Sequence, residues 1–462
     1  MLGSVLTATG MAMPPSAAAS EKTETFVEGS ITIDTLSNTS GGDGQDTRML
    51  GLATMAAGVN DLGDGPVEVS GFAELQLVEG SGFSDGVVGD GQGVSNIEAD
   101  SGFRALEAWL QLSLDGEGHR IKAGLIDLNR EFDMQEVGSM FLNSSHGIGP
   151  ELAQSGANGP SIFPTTTTAL VYGHQAGRWG VRVGAFNAVA GDPENPGKTV
   201  VPVPGEDGLL LIAEAERSFE IGRVYAGAWG YSAATPFLSE PEDAPGDRWR
   251  SRGAYAAVEA TLANGPNGEA LDSWVRIGVA NARALPIATY LGGGLRYGTD
   301  DRAIGFAIAH ARLGDTAIEI AEAAGDRAER AETNFELSYL HALTSTISVQ
   351  PDLQYVRNPG WDPALDDALV IGLRLGVGRS TMRLSLACGW ASAFADPARP
   401  ALPAEQAEDD HRHQPAPDRE VQQATGHCAD LPGVNGIEPF HQTACGAAGP
   451  GIVIGQDAAV DR

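Results

Sequence analysis

Cysteine is nearly absent: Cys388, Cys428 and Cys445 are the only three, and the first 387 of the 462 residues contain none. That long part is held by neither disulfides nor thiolate metal sites, and an odd count near the end argues against a disulfide framework there. Long hydrophobic runs are also missing. No stretch of 18 apolar residues occurs, which excludes a helical membrane protein but not a β-barrel, whose strands alternate and stay invisible to hydropathy. Positive charge is scarce, with 29 Lys and Arg against 61 Asp and Glu, a formal net charge of -32. A nucleic-acid partner is excluded on that balance, because a polyanion is repelled. Charged residues make up only 19% and hydrophobic ones 42%, too apolar for wholesale disorder.

Residues 1–20 are expected to be an export signal. Met1 to Met13 is weakly apolar, and Ser16-Ala17-Ala18-Ala19 supplies small residues of a cleavage site, although the positively charged start is missing. From Glu21 onward the pattern changes to that of strands.

The recurring unit is a stretch of about ten residues with period-two alternation, separated by Gly, Asp, Asn and Pro clusters. In Thr346 to Tyr355, Ile347, Val349, Pro351, Leu353 and Tyr355 share one face, while Ser348, Gln350, Asp352 and Gln354 share the other. In Ala368 to Val377, Leu369, Ile371, Leu373, Leu375 and Val377 oppose Val370, Gly372, Arg374 and Gly376. In Arg104 to Leu114 the apolar face is Leu106, Ala108, Leu110, Leu112 and Leu114, against Glu107, Trp109 and Gln111. The same rule predicts sixteen strands near 24–34, 48–60, 67–79, 103–114, 119–128, 168–176, 178–188, 209–220, 222–233, 253–262, 273–282, 290–299, 302–312, 333–342, 345–356 and 367–378. Short polar turns such as Gln175-Ala176-Gly177 alternate with long connections, above all residues 129–167. One segment, Ile318 to Ala331, has the composition of a loop helix.

A soluble sandwich and a membrane barrel both produce alternation. Three features favour the barrel. The polar faces carry full charges, among them Glu74, Arg120, Lys122, Arg178, Arg182, Arg276, Arg296, Glu336, Asp352 and Arg374. The strands have the length of a tilted bilayer crossing rather than the five or six residues usual in soluble sheets. Their even number suits a channel-sized barrel. The expected fold is an all-β, antiparallel up-and-down transmembrane barrel of about sixteen strands over residues 21–378, with long extracellular loops.

Within this frame lies a familiar succession. His119-Arg120-Ile121-Lys122-Ala123-Gly124-Leu125-Ile126-Asp127-Leu128-Asn129-Arg130-Glu131-Phe132-Asp133 is followed by Met140-Phe141-Leu142-Asn143 and by Ser161-Ile162-Phe163-Pro164. Further on come Gln350-Pro351-Asp352-Leu353-Gln354-Tyr355 with Asn358-Pro359-Gly360, and then Ala368-Leu369-Val370-Ile371-Gly372-Leu373-Arg374-Leu375. This order resembles the carbohydrate-selective porin family, the OprB-like porins, over roughly residues 65–378. The resemblance implies a sixteen-stranded barrel in the bacterial outer membrane that passes sugars by diffusion, with the 129–167 loop folded into the lumen. Its partners would be sugars as transported solutes and outer-membrane lipid, and a homo-oligomer is compatible with it. One departure is that family members usually end on the last strand, whereas here Arg462 lies about eighty residues beyond it.

Residues 379–462 show no sustained alternation, and the expectation is a disordered or frame-altered extension. Its His and Cys spacings fit no closed zinc pattern. Gly82-Phe83-Ser84-Asp85-Gly86 matches the nucleophile elbow G-x-S-x-G, but a polar loop follows where that motif needs a helix. The acidic glycine runs around Asp43, Asp64 and Asp85 to Gly93 read as solvated external loops before they read as calcium ligands. The sequence thus predicts no catalytic residue, no metal site and no cofactor.

A sugar ring has apolar faces, on which aromatics stack, and a rim of hydroxyls that charged and amide groups can satisfy. The pore-lining candidates are Glu107, Trp109, Gln111, Arg120 and Lys122 on two adjoining strands. Asp127, Asn129, Arg130, Glu131 and Asp133 follow in the long loop, and Asp352 and Arg374 lie on the last two strands. Two other readings stay open, a non-channel structural or adhesive barrel and a secreted calcium-binding β protein.

Overall fold

The computed structural model describes residues 24–60, 67–114, 118–202, 207–241 and 244–378. The export-signal and extension readings, on 1–20 and 379–462, lie outside the described residues.

Sixteen strands close one antiparallel barrel. They are β1 (Glu24–Ser40), β2 (Thr47–Asn60), β3 (Val67–Glu79), β4 (Gly102–Leu114), β5 (His119–Ile126), β6 (Thr167–Ala176), β7 (Trp179–Asn187), β8 (Leu209–Phe219) and β9 (Gly222–Tyr231). After a small hairpin of β10 (Ala234–Thr235) and β11 (Asp247–Arg248), the wall resumes with β12 (Arg252–Asn264), β13 (Ala270–Ala280), β14 (Ile287–Gly298) and β15 (Arg302–Leu313). It ends with β16 (Ala331–Ala342), β17 (Ile347–Arg357) and β18 (Ala368–Gly378). Closure comes from β1 pairing with β18, for instance Asp34 opposite Arg374. A closed sheet leaves no unpaired edge to aggregate.

Each expected strand has its counterpart. The largest difference is β1, which continues to Ser40 where alternation ended at 34. The outward residues there are Thr35 and Ser37, which hide the pattern, yet the ladder persists through Leu36 opposite Arg48 and Ser37 opposite Thr47. The expected loop helix is shifted: α1 spans Asp315–Ala324 and stops at Gly325, whose φ of 92° and N–H bonds to the Ala321 and Glu322 carbonyls make it a C-terminal cap. Ala331, expected in that helix, instead opens β16 opposite Arg312.

Apolar outward faces and ionised inward faces alternate as the sequence predicts. On β17, Leu353 and Tyr355 are exposed while Gln350, Asp352 and Gln354 are buried. Two residues depart from the expected faces. Leu106, placed outward by strict alternation, is 3% exposed. Glu74 pairs with Glu107 and Leu75 with Ala105, so Leu106 is the extra residue of a β-bulge. The bulge lets Arg104 and Glu107, of opposite parity, both face the interior. Arg178 sits in the turn between β6 and β7, reaching Glu220 at 3.7 Å, and lines nothing.

Connections alternate in length around the barrel. Residues 177–178, 220–221, 299–301 and 343–346 turn tightly at one end, while 80–101, 127–166, 188–208, 232–251 and 314–330 connect strands at the other. Two of the longer ones fold inward. Their apolar side chains pack on the wall: Leu128, Phe132 and Leu152 against Phe186, Trp229 and Tyr255, and Phe83, Val87 and Val94 against Leu36 and Val370.

Candidate functional site

The loop 127–166 crosses the bore, and the wall residues that receive it change along its length. It opens in a short 3-10 turn, Leu128–Arg130, capped by Asp127, whose carboxylate accepts the Asn129 N–H at 2.8 Å. Arg130 then reaches back to β3 and β4, donating to Glu74 at 2.7 Å and Glu107 at 2.8 Å. Glu131 turns to β5, accepting from Arg120 at 2.7 Å and from Lys122. Asp133 holds a positive φ of 53°, a costly backbone for a non-glycine residue. Its N–H bonds Glu214 of β8 at 2.8 Å, and its carboxylate receives Arg276 of β13 at 2.8 and 2.6 Å. Arg276 also donates to Glu151 at 2.7 Å, and all three side chains of this triad are fully buried.

Further along, Met134 O accepts from Arg223 and Tyr225 of β9, and Val137 N–H donates to Glu259 of β12. The Leu142 and Asn143 amides share the Glu336 carboxylate of β16 at 2.6 and 3.0 Å, and Tyr290 of β14 bonds Ser145 O at 2.7 Å. Loop and wall thus satisfy many of each other's buried polar groups, although both His146 ring nitrogens and the Asn143 amide nitrogen stay without a hydrogen-bond partner among the described residues. His146 lies here fully buried, 3.5 Å from Glu336, and burial lowers its pKa to about 3. It is neutral at physiological pH, so the contact is not an ion pair.

The sequence-predicted residues fall into three groups. Glu107, Trp109, Gln111, Arg120, Lys122, Asp127, Arg130 and Glu131 form one connected patch. Asp127 N–H donates to Glu107, Arg120 donates to Gln111 at 3.4 Å, and Trp109 stacks on Phe72 with Lys122 Nζ 4.0 Å above its ring. Asn129 and Asp133 tie the loop internally and to Arg276; the Asn129 amide donates to Asp133 O at 3.1 Å. Asp352 and Arg374 sit on β17 and β18, four to six strands round the wall from β4 and β5, and share no hydrogen bond with the patch among the described residues. Arg374 makes two 2.7 Å bonds to Asp34 and a third to Asn96, and so anchors the other inward loop, 80–101. Sequence reasoning did not single out Asp34, Glu214, Arg223 and Glu259 as members of the site. Their inward parity was the available signal.

The pairs share an asymmetry. Arg130, Arg120 and Arg182 side chains are 24, 20 and 16% exposed, whereas Glu107, Glu131 and Glu214 are 3, 4 and 2% exposed. The acids stand behind and the guanidinium groups face the bore. Burial alone would raise the Glu131 pKa, but Arg120 and Lys122 more than offset it and bring it down to about 2. A chain of strongly negative net charge thus leaves the basic member of each of these pairs the more exposed one.

Ser84, the elbow candidate, lies in a single π-turn, Ser84–Val88, and its hydroxyl accepts the Val94 N–H. The strand and long helix of a nucleophile elbow do not flank it. Among the described residues no group of three or more His, Cys, Asp and Glu side chains is arranged to hold a metal ion.

A closed sixteen-stranded barrel with apolar sides outward, ionised sides inward and a loop drawn across the bore is a porin-type barrel. The high-pH structure of Pseudomonas putida OprB matches it with a TM-score of 0.65 at 18% identity, over 78% of this chain and 94% of that one, a likeness of fold. The low-pH structure of the same protein has a TM-score of 0.45 at 15% identity, over 78% and 93%. No curated protein matches the chain. The family model for the carbohydrate-selective porin, OprB family, matches residues 77–378, and the chain belongs to that family. It is a bacterial outer-membrane porin for passive diffusion of small solutes, carbohydrates among them.

Proposed function

We propose that the barrel spans the outer membrane with its long-loop end outside, and that Arg120, Lys122, Arg130 and Trp109 form a constriction that holds sugars weakly in transit. The exposure asymmetry carries this reading. Guanidinium donors not consumed by the buried carboxylates point toward the water-filled side, where sugar hydroxyls can accept from them. The indole supplies a face for the apolar side of the ring. These guanidinium groups are already shared with carboxylates, so they hold a sugar hydroxyl weakly, as passage requires. The calcium-ligand reading of the glycine-rich loop 80–101 is weakened: the Glu98 carboxylate is taken up by the Phe83 and Ser84 N–H groups, and among the described residues no three acidic side chains converge as oxygen ligands would.

Liposome swelling with mono- and disaccharides tests the proposal. The double change Arg120→Gln with Arg130→Gln should lower the sugar rate relative to that of an uncharged solute of equal size. Equal slowing of both solutes would make the patch a mere wall. Absence of any swelling with folded protein would favour a plugged, non-channel barrel.

A further inference from the structure

The outward face of β15 to β17 has an uneven charge distribution. Between Ile304 and Ile308, and across Leu337 and Leu353, it is apolar and exposed. At the long-loop end, register sets His310 opposite Thr333 and Thr333 opposite Arg357, with Arg312 two residues beyond His310 on the same side. At the short-turn end, eight residues along, Arg302 meets His341 at 3.3 Å. Eight residues of tilted strand rise about 21 Å along the barrel axis, close to the height of an apolar lipid band. The basic groups therefore bracket that band.

Arg312 and Arg357 are exposed and form no ion pair or side-chain hydrogen bond among the described residues. Nearly every arginine on the inward faces, by contrast, has a carboxylate partner. The His310 Nδ1 is engaged by Thr333 at 2.8 Å, which leaves Nε2 without a hydrogen-bond partner among the described residues. The outward positions of these three strands carry no Asp or Glu. The carboxylate next to Arg357 in register, Asp367, is already committed to the Tyr355 hydroxyl and the Asn358 amide. In a chain with 61 acidic residues, two outward guanidinium groups bonded to no carboxylate among the described residues keep their donors free for an anion from the membrane itself.

We propose that Arg312, His310, Thr333 and Arg357 bind the phosphate-bearing headgroup of an outer-leaflet lipid, on the reading that the barrel spans the membrane with its long loops outside. Adjacent strands lie about 4.8 Å apart, so the row spans about 10 Å, the width of a phosphorylated sugar headgroup. Two guanidinium groups can each give a forked pair of bonds to phosphate oxygens.

The full chain, purified in non-ionic detergent, is titrated with bisphosphorylated lipid A and with its dephosphorylated form, and bound lipid is read by native mass spectrometry. The double variant Arg312→Gln with Arg357→Gln should bind the phosphorylated lipid about thirtyfold more weakly and the dephosphorylated one unchanged. Arg217→Gln, outward at the other end, should bind as the wild type does. Equal affinity of the double variant overturns the proposal, as does complete displacement of the lipid by inorganic phosphate, which would mark a general anion site. Planar-bilayer conductance of the same samples separates the two levels. A wild type that neither inserts nor conducts refutes the membrane reading, whereas variants and wild type that conduct alike with no difference in lipid retention refute this site alone. If the double variant loses its barrel, Arg357→Gln alone carries the test, with about a fivefold loss expected.

Discussion

Buried ion pairs stabilise only when every member is matched, and removing one partner leaves an uncompensated charge. The Asp133–Arg276–Glu151 triad is the most buried case. Replacing Arg276 by Met should strand two carboxylates and cost about 3–5 kcal/mol. The check is the temperature at which the heat-modifiable band shifts in gel electrophoresis; a shift no larger than that of a surface Arg217→Met control contradicts it. Glu131 gives a pH prediction. Its folded pKa lies near 2, below the ordinary carboxylate range, so its contribution is fully present above about pH 4.3 and lost as pH falls toward 2. Glu131→Gln should therefore flatten the acid limb of the stability curve over that window while lowering stability at neutral pH. An unchanged acid limb would remove Glu131 from the set of groups that govern it.

Elements meet where side chains leave no room. A Cβ at Gly278 would lie 2.0 Å from Glu151 Oε1, and one at Gly149 would lie 2.0 Å from Arg276 Nη1. Gly278→Ala should push Glu151 off Arg276 and loosen the loop 127–166 without touching the outward face. Faster proteolysis within that loop, with the barrel resistant, is the expected readout, and uniform resistance would show that the wall yields instead. How much was legible in the sequence also belongs to this scale. Strand positions could be read because most outward sites hold apolar residues and most turns have their breakers, even though β1 turns Thr35 and Ser37 outward and β15 to β17 turn His310, Arg312 and Arg357 outward. The bulge at Leu106 could not, since an inserted residue only changes parity, and parity is what the reading assumed. The loop 80–101 reads as solvated because it is rich in Gly and Asp. Its amides are bonded by carboxylates such as Glu332, 241 residues from Gly91, and no local pattern reports a partner so distant. The patch around Arg120 and Arg130 was legible as residues, but the order of burial, acid behind and base in front, needed the crossing of the loop.

At the scale of the whole molecule, the barrel closes through β1 and β18, which end before residue 379. A chain truncated after Gly378 should thus refold in detergent with the same heat-modifiable migration as the full chain; loss of that behaviour would make the later residues part of the fold. The central claim is that the ionised interior borders a continuous path for water while the outward face meets lipid. Planar-bilayer recording tests it most directly. Folded protein should give discrete, long-lived conductance steps that decrease reversibly when sugar is added to either side. Folded, inserted protein that gives no steps, or steps indifferent to sugar at any concentration, would contradict the account.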